Sequence, residues 1–165
     1  MIARAFLPAL IVLAGAAAPA AASDYVVIRK EILVDRSADA VWKRVGDYCA
    51  IAEWLKVKCE IVAGSGTGDV GTIRRLNDTT LEPMVARTAH SYTYSQIAGG
   101  MTGFAYNGTL AVEPVGPTKS KITYTLIYDK ALMPSEEARK AQFDRANPRF
   151  QGAIETMKAL AEAEK

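Results

Sequence analysis

The only histidine, His90, stands two residues before Tyr92 and four before Tyr94, so in an extended strand the three side chains share one face. An imidazole there could serve as general base toward an acidic C–H held within hydrogen-bond reach, the step a ring-closing or water-eliminating reaction needs. No Asp or Cys partner for it is evident in the sequence, and the competing reading is a half-solvated histidine at a strand end. Glu53, Arg74 and Glu82 are the other polar side chains expected to reach a cavity; the competing reading makes them rim or surface charges. The remaining inventory holds no Ser-His-Asp spacing and no metal-ligating cluster. The glycine-rich GSGTGDVG of residues 64–71 lacks the Gly-Lys-Ser/Thr ending of a phosphate loop and leads into a strand. No cofactor or metal is expected.

Binding needs less than catalysis does. Tyr92, Tyr94 and Gln96 alternate on one strand face, with Phe104 and Tyr106 on the next segment and Tyr124 beyond it. With Trp54, Phe150 and Ile154 they form the expected lining of a ligand site. Apolar rings with hydroxyl tips suit a small apolar or amphipathic molecule. The competing reading has these rings fill the core and leave no cavity.

The elements that must position these residues follow from periodicity. Tyr25 to Val34 is β-rich, with Val26, Ile28, Ile32 and Val34 on one face and Lys30 interrupting it. Ser37 is a helix N-cap, Asp39 places negative charge in the first turn, and Ala38, Val41, Trp42 and Val45 form one apolar face. Gly46 is the expected stop, through the left-handed conformation glycine enters freely. A shorter helix carries Ile51, Trp54 and Leu55. Extended segments follow at residues 58–63, 72–76, 81–90, 91–97, 104–112 and 122–128, joined by turns so short that neighbours must be antiparallel. Pro83 is expected at an edge or bulge. A helix capped by Ser135 runs to Ala146, where Asn147-Pro148 should break or kink it. The last helix bears the stripe Phe150, Ala153, Ile154, Met157, Leu160 and Ala161. The fold class is α+β, an antiparallel sheet of about seven strands covered by the C-terminal helix, with two short helices between strands 1 and 2.

Residues 1–22 read as a signal peptide: Arg4 is the only charge, an apolar run fills residues 5–18, and Ala20-Ala21-Ala22 offers small residues for cleavage after Ala22. A membrane anchor is the rival, but Pro8, Gly15 and Pro19 interrupt the run and no basic stop-transfer residues follow. Residues 23–165 are then one exported domain, periplasmic or secreted, without a transmembrane anchor after cleavage. A formal net charge of +2 with interspersed signs gives no footprint for nucleic acid or anionic lipid. Cys49 and Cys59 read as a disulfide stapling the helical pair to the next strand, with two buried free thiols as the alternative.

AVWKRVGDY (40–48), AEWL (52–55), GDVGTIRRL (68–76), YTYSQ (92–96), YNGTLAVEP (106–114) and IETMKALAEA (154–163) together resemble the Bet v 1/START-like (SRPBCC) superfamily. Within it the chain looks most like the polyketide cyclase/dehydrase branch, which includes the plant abscisic-acid receptors. The resemblance implies a helix-grip fold, a curved sheet around a long helix over an apolar cavity. It implies binding of lipids, sterols, hormones or polyketides, in most members without catalysis; a few are cyclases or aromatases. In the hormone receptors a lysine after the first helix reaches the ligand carboxylate. Aligned on Cys59 that position is Glu53, which reverses the charge and counts against a carboxylate-bearing ligand. The receptors' aromatic pocket positions fall on Tyr94 and Tyr106. A second resemblance is to exported members encoded near bacterial methanol oxidation systems, which implies a periplasmic protein partner such as a methanol dehydrogenase. Such a partner would need an apolar surface patch, expected on the helix from Ser135 to Ala146.

Overall fold

The structure is a computed structural model that describes residues 22–65 and 68–163. The leader expectation and the Gly66 part of the glycine-rich turn lie outside the described residues. Strand β1 (Tyr25–Val34) is followed by helices α1 (Ala38–Val45) and α2 (Ile51–Trp54). Strands β2 (Cys59–Ala63), β3 (Ile73–Leu76), β4 (Thr80–Thr88), β5 (Ser91–Ser95), β6 (Asn107–Gly116) and β7 (Lys119–Asp129) come next, and α3 (Glu136–Ala163) closes the chain. The seven strands form one antiparallel sheet in the order β1-β7-β6-β5-β4-β3-β2. Strands β1 and β2, neighbours in sequence, therefore sit at opposite edges, and α1 and α2 carry the chain between them.

The sheet curls around α3, a helix-grip architecture. Its inner face supplies Ile28, Leu110, Ile122, Leu126 and Tyr124, and α3 answers with Phe150, Ala153, Ile154 and Met157, all buried. Phe150 stacks on Tyr124 at 4.8 Å between centroids, and Trp54 from α2 meets Tyr124 edge-on at 5.7 Å. Cys49 and Cys59 are bridged, their Cα atoms 5.5 Å apart, which fastens the α1–α2 connection to edge strand β2. Free thiols are thereby set aside.

Four local expectations are corrected. Gly46 does end α1, but in the right-handed region at φ −86° and ψ −9°, with its N–H on the Trp42 carbonyl. A Cβ at Gly46 would fall 2.4 Å from the Trp42 ring, so a close approach selects glycine there, not handedness. Strand β6 begins at Asn107, since Ala105 adopts φ +50° and turns Phe104 out of phase with Tyr106. Helix α3 continues through Pro148, which overturns the break and leaves the kink as the other expectation there, and its buried face extends back to Ala146 and Gln142. Pro83 sits in an interior strand. It lies in the gap between the Leu81–Ala98 bridge and the resumption of pairing at Met84–Tyr94, where its missing N–H matters least.

Candidate functional site

Strands β3 and β4 bring Arg74 and Glu82 into register, and because both side chains face inward the pair is buried. Arg74 Nε donates to Glu82 Oε2 at 2.9 Å, and Nη2 lies 2.7 Å from the same oxygen. Nη1 donates to the Tyr48 carbonyl at 2.8 Å and reaches the Tyr92 hydroxyl at 3.5 Å. The guanidinium is sandwiched between rings, 4.3 Å from the Tyr48 centroid and 4.6 Å from that of Tyr94. Burial opposes its charge, but the surrounding tyrosine oxygens and Glu82 outweigh that cost and hold Arg74 protonated. Glu82 is fixed from the other side as well: Gln96 Nε2 donates to Oε1 at 3.3 Å, and the Gln96 amide oxygen accepts the Met101 N–H at 2.7 Å.

The tyrosines around this pair stay phenols. Burial pushes Tyr94 and Tyr124 well above the ordinary phenol value and raises Tyr92, Tyr48 and Tyr106 too. Tyr94 and Tyr124 share a 2.7 Å hydroxyl–hydroxyl bond. Tyr94 can lie flat there because its cross-strand partner is Gly108; a Cβ at that position would come within 2.3 Å of the phenol.

Above this layer, between the sheet, α2 and α3, is a cavity of about 330 Å³. Its inner wall is Glu82, Tyr94, Gln96 and Tyr106, and its apolar sides are Ile51, Leu55, Leu76, Met101, Ala146 and Phe150. Val57 and Gly100, Asn77 and Thr80 from the β3–β4 turn, and Gln142, Arg145 and Arg149 from α3 complete it. A carboxylate, an amide and phenols at the inner wall can hydrogen-bond a ligand's polar end, and the apolar sides can take its hydrocarbon. Among the described residues no group of three or more His, Cys, Asp and Glu could hold a metal ion.

Of the residues expected to line a site, Glu82, Tyr94, Gln96, Tyr106 and Phe150 are brought together. Trp54, Tyr124 and Ile154 are buried behind this lining as core, and Arg74 and Tyr92 stand behind Glu82 as its supports. Phe104 is not in the cavity lining; with Met133, Pro134 and Ala138 it lines an adjoining hollow that shares Gly100, Met101, Gln142 and Arg145 with the cavity. Glu53 is outside altogether. Ile51 and Trp54 face inward on the single turn of α2, and Glu53 between them points out to Arg44, its Oε2 2.6 Å from the guanidinium. The charge reversal inferred at Glu53 therefore does not bear on the cavity. His90 is likewise away from it: it lies in the turn before β5, beside Trp42, with Nε2 2.7 Å from Asp39 Oδ1. The histidine expected to be without an acidic partner has one, and that partner is exposed on α1.

Gln142, Arg145 and Arg149 were not foreseen. The signal was present, because Gln142 and Ala146 continue the Phe150 stripe backward in steps of four. Taking Pro148 as a break hid it.

Fold and site define a class: a helix-grip protein with a small, polar-floored cavity that opens to solvent beside α3. Residues 25–162 match the family described as polyketide cyclase / dehydrase and lipid transport, and the chain belongs to that family. Solved structures share the fold at low identity. A protein from Nitrosospira multiformis superposes with a TM-score of 0.69 at 22% identity, covering 85% of this chain and 100% of that one. The ZhuI aromatase/cyclase from Streptomyces sp. R1128 gives 0.70 at 14% identity, covering 84% and 94%. Norcoclaurine synthase from Thalictrum flavum, in complex with dopamine and hydroxybenzaldehyde, gives 0.65 at 22%, covering 87% and 90%. No curated protein matches the sequence.

Proposed function

We propose that this chain is an exported binding protein that holds one compact amphipathic molecule in its cavity. The observation that carries the reading is the cavity itself, about 330 Å³ lined by Glu82, Tyr94, Gln96 and Tyr106 beneath apolar walls. That volume is at the small end of the roughly 300–1,000 Å³ of ligand pockets, which favours a one- or two-ring or short-chain molecule over a sterol or a long acyl chain. The phenols bound by norcoclaurine synthase are of that size. Binding without turnover is the reading taken, because His90 is held at the surface by Asp39, outside the cavity lining. Export is supported by the leader-like residues 1–22 and by the Cys49–Cys59 bridge, which persists in oxidising compartments.

Calorimetric titration of the mature protein with single-ring phenols, beside an Ala146→Phe variant, tests the cavity. Ala146 is buried in its wall, so phenylalanine would grow into the space. Binding abolished by the variant supports the reading; equal binding by both proteins contradicts it. Cell fractionation tests export, with a mature N-terminus at Ser23 outside the cytoplasm as the expected result and an intact leader in the cytoplasm as the contrary one.

A further inference from the structure

The charges that reach the cavity are arranged asymmetrically from inside to outside. At the inner wall Glu82 is 3% exposed and its charge is already matched by Arg74. Among the described residues its Oε1 accepts only the long 3.3 Å bond from Gln96, and a carboxylate oxygen can accept a second donor. At the outer rim stand Arg145 and Arg149, both exposed and both lining the cavity. They are four residues apart on α3, so their stems lie about 5–6 Å apart, a spacing at which like charges destabilise a helix.

Among the described residues no carboxylate relieves that repulsion. Arg145 donates to the buried Gln142 amide oxygen, and neither arginine has a carboxylate partner among the described residues. Asp144, beside them, is engaged by Lys140. The lining contains one acid, Glu82, whose partner is Arg74, so the rim is left with two positive charges and no anion. Arg149, with the N–H groups of Arg145 not turned to Gln142, suits an oxyanion, which a guanidinium can meet with two parallel N–H groups.

Resting on the binding reading above, we infer that the ligand is a compact organic acid with a hydroxyl at the far end. Its carboxylate lies between Arg145 and Arg149 at the rim, its ring or short chain lies against Ile51, Leu55 and Phe150, and its hydroxyl donates to Glu82 Oε1. The acid supplies the counter-charge the rim lacks, and the hydroxyl fills the acceptor the inner wall leaves open.

The test is a calorimetric titration with three probes: 4-hydroxycinnamate, its methyl ester, and cinnamate. The acid is expected to bind at least about tenfold more tightly than the ester, the worth of a charge-assisted contact, and to weaken with added salt while the ester does not. Cinnamate, lacking the hydroxyl, is expected to bind roughly tenfold more weakly than 4-hydroxycinnamate. Arg149→Gln, an exposed change that leaves the core intact, should narrow the gap between acid and ester, and Arg145→Gln with Arg149→Gln should close it. Equal affinity of acid and ester for the unaltered protein overturns the inference and leaves the binding reading standing. If neither binds, the inference falls; the binding reading falls with it only if no neutral phenol binds in a manner sensitive to Ala146→Phe.

Discussion

Arg74 Nη2 lies 2.7 Å from Glu82 Oε2, with the arginine side chain 0% exposed and the glutamate 4%. A pair this deep cannot lose one member without stranding the other. It is also the support of the cavity's inner wall, since Glu82 faces the cavity while Arg74 is held from behind by Tyr48, Tyr92 and Tyr94.

Arg74→Met should cost about 3–5 kcal/mol, because it leaves the Glu82 carboxylate buried without its counter-charge. Replacing both, Arg74→Met with Glu82→Leu, should cost less than the sum of the single changes. Urea unfolding of the four proteins in the cycle measures this, and additive losses would show that the two residues act independently.

Gly108→Ala should destabilise the fold by roughly 1–3 kcal/mol, the usual cost of overpacking, and weaken ligand binding. The new Cβ would meet the Tyr94 phenol at 2.3 Å and push it from its bond with Tyr124 toward the cavity. Thermal unfolding and a probe titration on the same variant read both effects.

Reduction of Cys49–Cys59 should lower stability by about 2–3 kcal/mol, from the loop entropy returned to the unfolded chain by a ten-residue separation. Unfolding curves with and without reductant provide the comparison. Alkylation of the unreduced protein should add no label.

Alkaline pH should unfold the protein through its tyrosines. Burial raises the folded-state values of Tyr92, Tyr94 and Tyr124 above the unfolded value of about 10. Their contribution is fully present below that unfolded value. It is lost as pH rises beyond it, because the unfolded phenols release protons the folded ones keep. Circular dichroism and tyrosinate absorbance should therefore change together in one step above about pH 10; tyrosinate formed in these rings while the fold persists would contradict the burial argument.

Much of the architecture was legible because it rests on local periodicity. Strand β1 has the bounds its alternation predicts, and Ser37 caps α1 through the Ala40 N–H as its residue type requires. The interior half of the cavity was legible for the same reason, since Tyr94, Gln96 and Tyr106 follow strand phase. What escaped was set by tertiary context. Glu53 took a plausible place by alignment, yet on a one-turn helix Ile51 and Trp54 claim the inner side and Arg44 draws the carboxylate outward. His90 shared the phase of Tyr92 but sits in a turn, where Asp39 from another element captures it. The rim arginines were hidden by Pro148, whose local cost to the helix is overridden by the burial of Gln142, Ala146 and Phe150 on both sides of it.

The central claim is that the cavity beneath α3 is occupied in the cell. Native mass spectrometry of the protein isolated from its own cells measures this directly. The account predicts a complex heavier than the disulfide-bonded polypeptide by one small organic acid, released when Ala146 is replaced by Phe. A polypeptide that arrives only at its own mass, and that takes up no small acid or neutral phenol afterwards, would contradict it.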